Sequence, residues 1–322
     1  MPSKKKLLLA VTRRNLEKRK LVKMKQITPM EPVLKYDLIN CNDSIYQVKW
    51  DGIRILTYKE NKDIYLTTRK GKDKTNVFPE IQELKQLSST FVLDGEAIII
   101  EEGFNDFSKI LTRNQLKNKH QINIAIKEQP ITYMVFDIIY LNGKWLSNLP
   151  YSERYKILTQ EIEIKNLNHT KVCKNYDDGE SLFKGTKLQK LEGVLEKDLK
   201  SKYTFTKSKY WKKYKHTNDI DAFVGGIYIK NNTISSLALG TKENGFLRYI
   251  GNVGVGLDNE NIKEILSLAN SLVSLESPFK NKKIKKHIFL KPNIKVNVEF
   301  MQWTPHKTMR SPVFRGIKKE NV

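Results

Sequence analysis

Two strand-like apolar runs, Ile45-Tyr46-Gln47-Val48 and Ile53 to Tyr58, flank the tetrapeptide Lys49-Trp50-Asp51-Gly52, and Arg54 follows at once. Such a segment has few ways to fold. The runs read as strands, one ending at the lysine and the other following the glycine, and the lysine projects from the end of a sheet. A side chain held by a strand is positioned more tightly than one on a loop. A lysine amine is a poor nucleophile while protonated, with a free pKa of roughly 10.4, and burial or a neighbouring cation activates it. Alone, Lys-x-Asp-Gly is a short pattern that a solvated edge-strand lysine also satisfies, so the context has to decide.

The same texture recurs along the chain. Ile64 to Thr68 leads into Arg69-Lys70-Gly71, and Phe91-Val92-Leu93 enters Asp94-Gly95-Glu96. Ile131 to Leu141 is a long apolar run holding Phe136 and Asp137 and closing at Asn142-Gly143. Leu191 to Leu195 and Ile220 to Ile229 read as further strands. Between them, the spacing of Phe78, Ile81 and Leu84 predicts a helix over Phe78 to Leu87. Tyr151 to about Ile164 reads as a second helix, with Ser152 as its N-cap. The first domain, 27–222, is therefore mixed α and β, with strands converging on charged residues.

After residue 223 short strands dominate. Ile234 to Gly240 and Gly245 to Val253 flank a hairpin turn, Asn261 to Leu275 reads as an amphipathic helix, and Lys280 to Lys286 reads as a basic linker. Strands Ile294 to Trp303 and around Val313 follow. Several short strands with one intervening helix suit a small oligonucleotide-binding (OB) barrel over 223–322. Residues 1–26 form a basic segment whose only acid is Glu17, a short helix or an arm.

The formal net charge is +23 over 322 residues. A surplus of this size points to a polyanionic partner, with nucleic acid the default. The two cysteines, Cys41 and Cys173, exclude a four-cysteine zinc site. Leu7 to Val11 is too short for a signal-peptide apolar region, and no run approaches the roughly 20 apolar residues of a membrane span. The expectation is a soluble, cytoplasmic protein.

In order, the charged strand ends are Lys49-x-Asp51-Gly52-x-Arg54, Arg69-x-Gly71, Asp94-Gly95-Glu96, Phe136-Asp137, Glu192-Gly193 with Lys197, and Trp211-x-Lys213-x-Lys215. This series resembles the ordered motifs of the covalent nucleotidyltransferase superfamily, which holds ATP-dependent DNA ligases, RNA ligases and capping guanylyltransferases. Gly251 to Gly256, Val298 to Pro305 and Met309 to Gly316 are similar, more narrowly, to the bacterial ligase D type. The resemblance implies an α+β adenylation domain with antiparallel sheets followed by an OB-fold barrel domain. The implied activity is ATP-dependent sealing of nicked or broken double-stranded DNA in repair.

By that resemblance Lys49 is the nucleophile that carries AMP. Glu192 and Asp51 would hold magnesium (or manganese), a hard cation that takes oxygen ligands. Glu96 would accept from the ribose, Phe136 would stack on adenine, and Gln47, among the nucleotide-binding residues, would orient its strand through the side-chain amide. Lys213 and Lys215 alternate with Tyr214, so both face one way, where they would contact the α-phosphate and activate Lys49. Arg54 and Arg69 offer planar forks for a 5′-phosphate. A Ku-like end-binding partner, a monomeric state and a place beside a bacterial nucleoid are implied in the same way.

The chain departs from the family pattern in three places. Gln47 stands where relatives carry Glu, and Thr206-Lys207-Ser208 stands where they carry Pro-Gly-Arg. Lys318-Lys319-Glu320-Asn321 replaces a C-terminal Arg-x-Asp-Lys, which predicts slow or atypical self-adenylation. RNA end sealing, cap guanylylation and a catalytically idle DNA-binding protein are the rival readings.

Overall fold

The computed structural model describes residues 26–243 and 245–318. The basic segment 1–26, apart from Gln26, lies outside the described residues, as do Lys319, Glu320 and Asn321. The chain divides into two compact units between Lys215 and His216.

Unit 1 carries β1 (Glu31–Lys35), β2 (Ser44–Val48), β3 (Ile53–Glu60), β4 (Asp63–Thr68), β5 (Phe91–Ile98), β6 (Ile100–Glu101) and β7 (Phe104–Asn105). Then come β8 (Thr132–Leu141), β9 (Lys144–Trp145), β10 (Thr170–Val172), β11 (Gly193–Asp198) and β12 (Lys207–Lys215). Its helices are α1 (Phe107–Gln115), α2 (Lys119–Glu128), α3 (Tyr151–Ile162) and α4 (Gly179–Leu188). A four-stranded sheet runs β1-β12-β11-β2, and a larger one runs β10-β8-β5-β3-β4 with β9 beside β8. The ladders in these two sheets are antiparallel, as expected, except for two: β1 lies parallel to β12, and β10 parallel to β8.

The central strands are apolar on both faces because each face has a cover. Successive residues alternate sides along a strand, so Ile55, Leu93 and Val135 enter one core with Ile81, Ile110 and Leu158. Leu56, Val92 and Phe136 enter the other with Ile45 and Trp211 of the smaller sheet. Leu56 is fully buried there, and its truncation to Ala costs about 2–5 kcal/mol. Asp94 of β5 lies opposite Asp137 of β8, two buried carboxylates that would repel if left bare. Each has its own arginine. Arg54 holds Asp94 through Nε and Nη2 at 2.9 and 2.6 Å, and Arg154 holds Asp137 at 2.8 and 2.9 Å.

The helices differ from expectation in detail. Pro79 to Gln86 is a 3₁₀ helix with the proline in its first turn. Ser152 does not cap α3: Pro150 occupies the cap position without a side-chain bond, and the Ser152 amide donates to Leu199 O. Helices α1, α2 and α4 are not anticipated from the sequence, although each has a side-chain cap, from Asp106, Asn118 and Asp178.

Unit 2 carries β13 (Asn218–Lys230), β14 (Thr233–Glu243), β15 (Phe246–Val253), α5 (Asn259–Ala269), β16 (Val273–Ser274), β17 (Ile288–Leu290), β18 (Lys295–Phe300) and β19 (Val313–Ile317). The expected boundary at 222/223 falls inside β13, whose residues Asn218 to Ala222 already pair with Phe300 to Val296. The helix stops at Ala269, short of Leu275, because Val273 and Ser274 pair with β17. Strand order is β15-β14-β13-β17-β16, with β18 on β13 and β19 on β18. This is the OB-fold arrangement, but not a continuous barrel: among the described residues, β19 meets the segment just after β15 at the isolated bridge Val255–Val313. The segments singled out as ligase-D-like assemble this region. Phe314 N donates to Val255 O at 2.8 Å, Met309 N to Ile250 O at 2.7 Å, and Arg315 pairs with Glu299 at 2.6 Å.

Candidate active site

The open edge between the two sheets of unit 1 forms a cleft of about 450 Å³. Lys49 stands at its wall, one residue past β2. Its amide donates to Gly193 O at 2.9 Å, which ties the lysine to the start of β11. Gly193 has φ +146°, and a Cβ there would lie 1.9 Å from Tyr214 O, so only glycine admits this approach. Gly52 is required for the same kind of reason, since its Cβ would meet Ala97 O at 2.2 Å.

Lys49 Nζ is ion-paired to Glu192 Oε2, and Lys215 Nζ meets Glu192 Oε1 at 2.8 Å. One carboxylate thus bridges two ammonium groups. Burial would raise the Glu192 pKa, but Lys49 and Lys215 more than offset it and hold it below the usual range. Trp211 and Lys213 line the cleft, on the face of β12 they share with Lys215. The opposite face, Lys212 and Tyr214, binds buried Glu196 at 2.7 and 2.6 Å. The alternation expected for Lys213 and Lys215 is therefore present. Burial, then the charges of Lys215 and Lys49, lowers the Lys213 pKa.

Arg54, Glu96 and Phe136 also line the cleft. Asp94 occupies one edge of the Arg54 fork, so only the remaining edge is open to a ligand. The Arg54 guanidinium lies 5.2 Å from the Phe136 ring centre. Desolvation pushes the Glu96 carboxyl up to about 8, against the pull of Lys49 and Arg54. Gln47 is buried and fixed by Nε2 to Tyr151 Oη at 3.0 Å and Asn175 Oδ1 at 2.8 Å, while its Oε1 has no hydrogen-bond partner among the described residues. Arg69 stands exposed at the rim, paired with Glu31 at 3.2 Å. Asp51 accepts from Asn105 Nδ2 through its backbone oxygen at 2.8 Å, and its charge reaches Glu96.

Sequence reasoning gave Lys197 no role. It is fully buried, with Nζ 4.2, 4.6 and 4.7 Å from the ring centres of Trp211, Phe136 and Tyr151. It also donates to Phe136 O at 3.2 Å, and desolvation takes its pKa down to about 7. Its place in Glu192-Gly193-x-x-x-Lys197 on β11 is the signal that could have found it. Cys173 lines the cleft as a buried thiol pushed up to about 12 by desolvation, consistent with an inert cysteine.

Among the described residues no three His, Cys, Asp or Glu side chains form a metal-ligating cluster. A magnesium ion that takes one carboxylate, with water and substrate phosphates as its other ligands, needs no such cluster. The described helices include none long and apolar enough to cross a membrane.

Two family models match: the ATP dependent DNA ligase domain over residues 21–215 and the ATP dependent DNA ligase C terminal region over 230–321. The multifunctional non-homologous end joining DNA repair protein LigD of Mycobacterium tuberculosis is 26% identical over 286 residues, covering 85% of this chain and 36% of that protein. A DNA ligase of Nitrosopumilus maritimus is 25% identical over 299 residues, covering 85% of this chain and 51% of that one. The chain thus spans between about a third and a half of these relatives' length. A solved mycobacterial DNA ligase D complexed with ATP and MES matches with TM-score 0.55 and 25% identity, covering 92% of this chain and 96% of that one. A Lig E DNA ligase shares the fold, with TM-score 0.65 at 16% identity over 91% of this chain and 100% of that one. The chain belongs to the ATP-dependent DNA ligase family.

Proposed function

We propose that the chain is an ATP-dependent DNA ligase that seals nicks or broken duplex ends through a covalent adenylate on Lys49. The observation that carries this reading is a cleft lysine sharing one carboxylate, Glu192, with the β12 lysine Lys215, beside an aromatic ring, a partly buried arginine and a desolvated carboxyl. The Lys49 amine attacks the α-phosphorus of ATP: an N–P bond forms, the P–O bond to pyrophosphate breaks, and the amine loses its proton. A 5′-phosphate oxygen then attacks the same phosphorus, and the N–P bond breaks to return the amine. A 3′-hydroxyl next attacks the activated 5′-phosphate, and AMP leaves.

Phosphoryl transfer of this kind needs positioning and charge neutralisation more than acid–base chemistry. Phe136 supplies a face for adenine, and Glu96 a polar group for the ribose hydroxyls. Lys213 and Lys215 lie where the α-phosphate charge builds, and Glu192 orients Lys49 until it reacts. The open edges of Arg54 and Arg69 receive the 5′-phosphate. Glu192 and Asp51 are the carboxylates that would hold magnesium, which would neutralise phosphate charge when bound. A monomer acting in end-joining repair at the nucleoid, with a Ku-like end-binding partner, completes the reading.

The test is nick sealing with ATP and magnesium on DNA, RNA and hybrid duplexes, comparing wild type with Lys49→Ala. The reading requires sealing of nicked DNA by the wild type alone. Sealing confined to RNA would replace DNA by RNA as the substrate, and sealing by Lys49→Ala would remove the nucleophile assignment.

A further inference from the structure

We infer that residues 280–286 of unit 2 form a pre-organised cationic arm for the phosphate backbone of duplex DNA. From Ser277 to Lys291 the chain carries Lys280, Lys282, Lys283, Lys285, Lys286 and Lys291 and no acidic residue. Read from sequence, the stretch is a basic linker. In the fold it links no domains: it returns from β16 to β17 within unit 2, and it is pinned along its length. Phe279 is buried against Leu247 and Ala238, and Ile284 packs on the same cluster. Asn281 clasps the backbone of β15, accepting from Tyr249 N at 2.8 Å and donating to Tyr249 O at 3.3 Å. His287 rests on the Tyr228 ring at 5.5 Å.

Between these pins Lys280, Lys282, Lys283, Lys285 and Lys286 are all exposed. None of the five has an ion-pair partner among the described residues. A solvated charge run has no use for apolar and amide anchors at every second or third position. An anchored loop of unneutralised lysines pays less ordering entropy when it meets a polyanion. Lysines act as point charges without the fork geometry that reads base edges, so the contact is to phosphates and carries no sequence preference. The choice of DNA as the polyanion rests on the ligase reading. The loop's charge and anchoring do not.

The experiment measures affinity of the full chain for a nicked duplex at several salt concentrations. The arm variant is Lys282→Gln/Lys283→Gln/Lys285→Gln. The charge-matched control, Lys184→Gln/Lys187→Gln/Lys190→Gln, changes three exposed lysines on or just after α4. Circular dichroism and melting temperature check that both variants fold. Each phosphate contact contributes about −0.9 to the slope of log K against log salt, so the arm variant should lose roughly 2 to 3 of slope and bind on the order of 10-fold more weakly. The control should lose less than about 2-fold. Unchanged binding by the arm variant, or an equal loss in the control, overturns the inference. Loss of binding to phosphatidylserine vesicles with DNA affinity intact would also overturn it, in favour of a membrane surface. ATP labelling of the wild type, run in parallel, separates the two claims: unlabelled protein that still binds DNA through the arm sinks the ligase reading and keeps the arm.

Discussion

Asp94→Asn isolates one charge at the base of the site. Asp94 is fully buried, takes two bonds from Arg54 at 2.9 and 2.6 Å, and accepts from Tyr203 Oη at 2.6 Å. Asparagine keeps the shape and can still accept from Tyr203, but it leaves the Arg54 guanidinium, 15% exposed, without its counter-charge. Breaking a buried pair by removing one partner costs about 3–5 kcal/mol. For a unit of this size that lowers the melting temperature by about 6–20 °C. Arg54→Gln on the Asp94→Asn background removes the stranded cation and should restore at least about half of the loss, as a double-mutant cycle read by thermal or urea unfolding at pH 7. The single variant should also lower the Glu96 pKa from about 8, because the Arg54 charge is no longer offset. An Asp94→Asn protein within about 1 kcal/mol of wild type would refute this account of how the cleft floor is held.

Three further outcomes follow from the same geometry. Glu96 has its folded pKa raised to about 8, so its stabilising contribution is full below the unfolded carboxyl value and is lost as pH rises to about 8; Glu96→Gln should remove that decline from the unfolding curve. Lys197 has its pKa lowered to about 7, so stability should rise as pH climbs from about 7 toward the unfolded lysine value. Lys197→Met should abolish that rise and raise KM for ATP more than it lowers kcat, and equal stability profiles would contradict the buried-lysine argument. Glu192→Gln leaves Lys49 and Lys215 without their shared carboxylate and should slow lysine labelling by ATP at least about 10-fold, equivalent to about 1.4 kcal/mol.

The strand ends that carry the site were legible because each combines two local signals, an apolar run and a glycine or charge that interrupts it. Lys49 and Glu96 stood out this way, whereas Phe136 read alone as a core residue of an apolar run and entered the site only through the family resemblance; the one-face placement of Lys213 and Lys215 followed from the period of a strand. What the sequence hid depends on distant partners. The taking of the Arg54 fork by Asp94 is decided by the β3–β5 register, and the aromatic surroundings of Lys197 come from β8, α3 and β12. The parallel pairing of β1 with β12 joins residues far apart in sequence. Helices α1, α2 and α4 have caps but run only 9 or 10 residues, short of the roughly 11–18-residue window over which a helical period is read. The loop at 280–286 looked like a linker because Phe279 and Ile284 bury against strands that precede them by tens of residues.

The most direct test is to incubate the protein with ATP and magnesium, measure its intact mass, and map any adduct by peptide sequencing under neutral conditions. The account predicts a mass gain of one adenylate, acid-labile, on Lys49, and none in Lys49→Ala. An adduct on another residue, or an equal gain in the alanine variant, would contradict it.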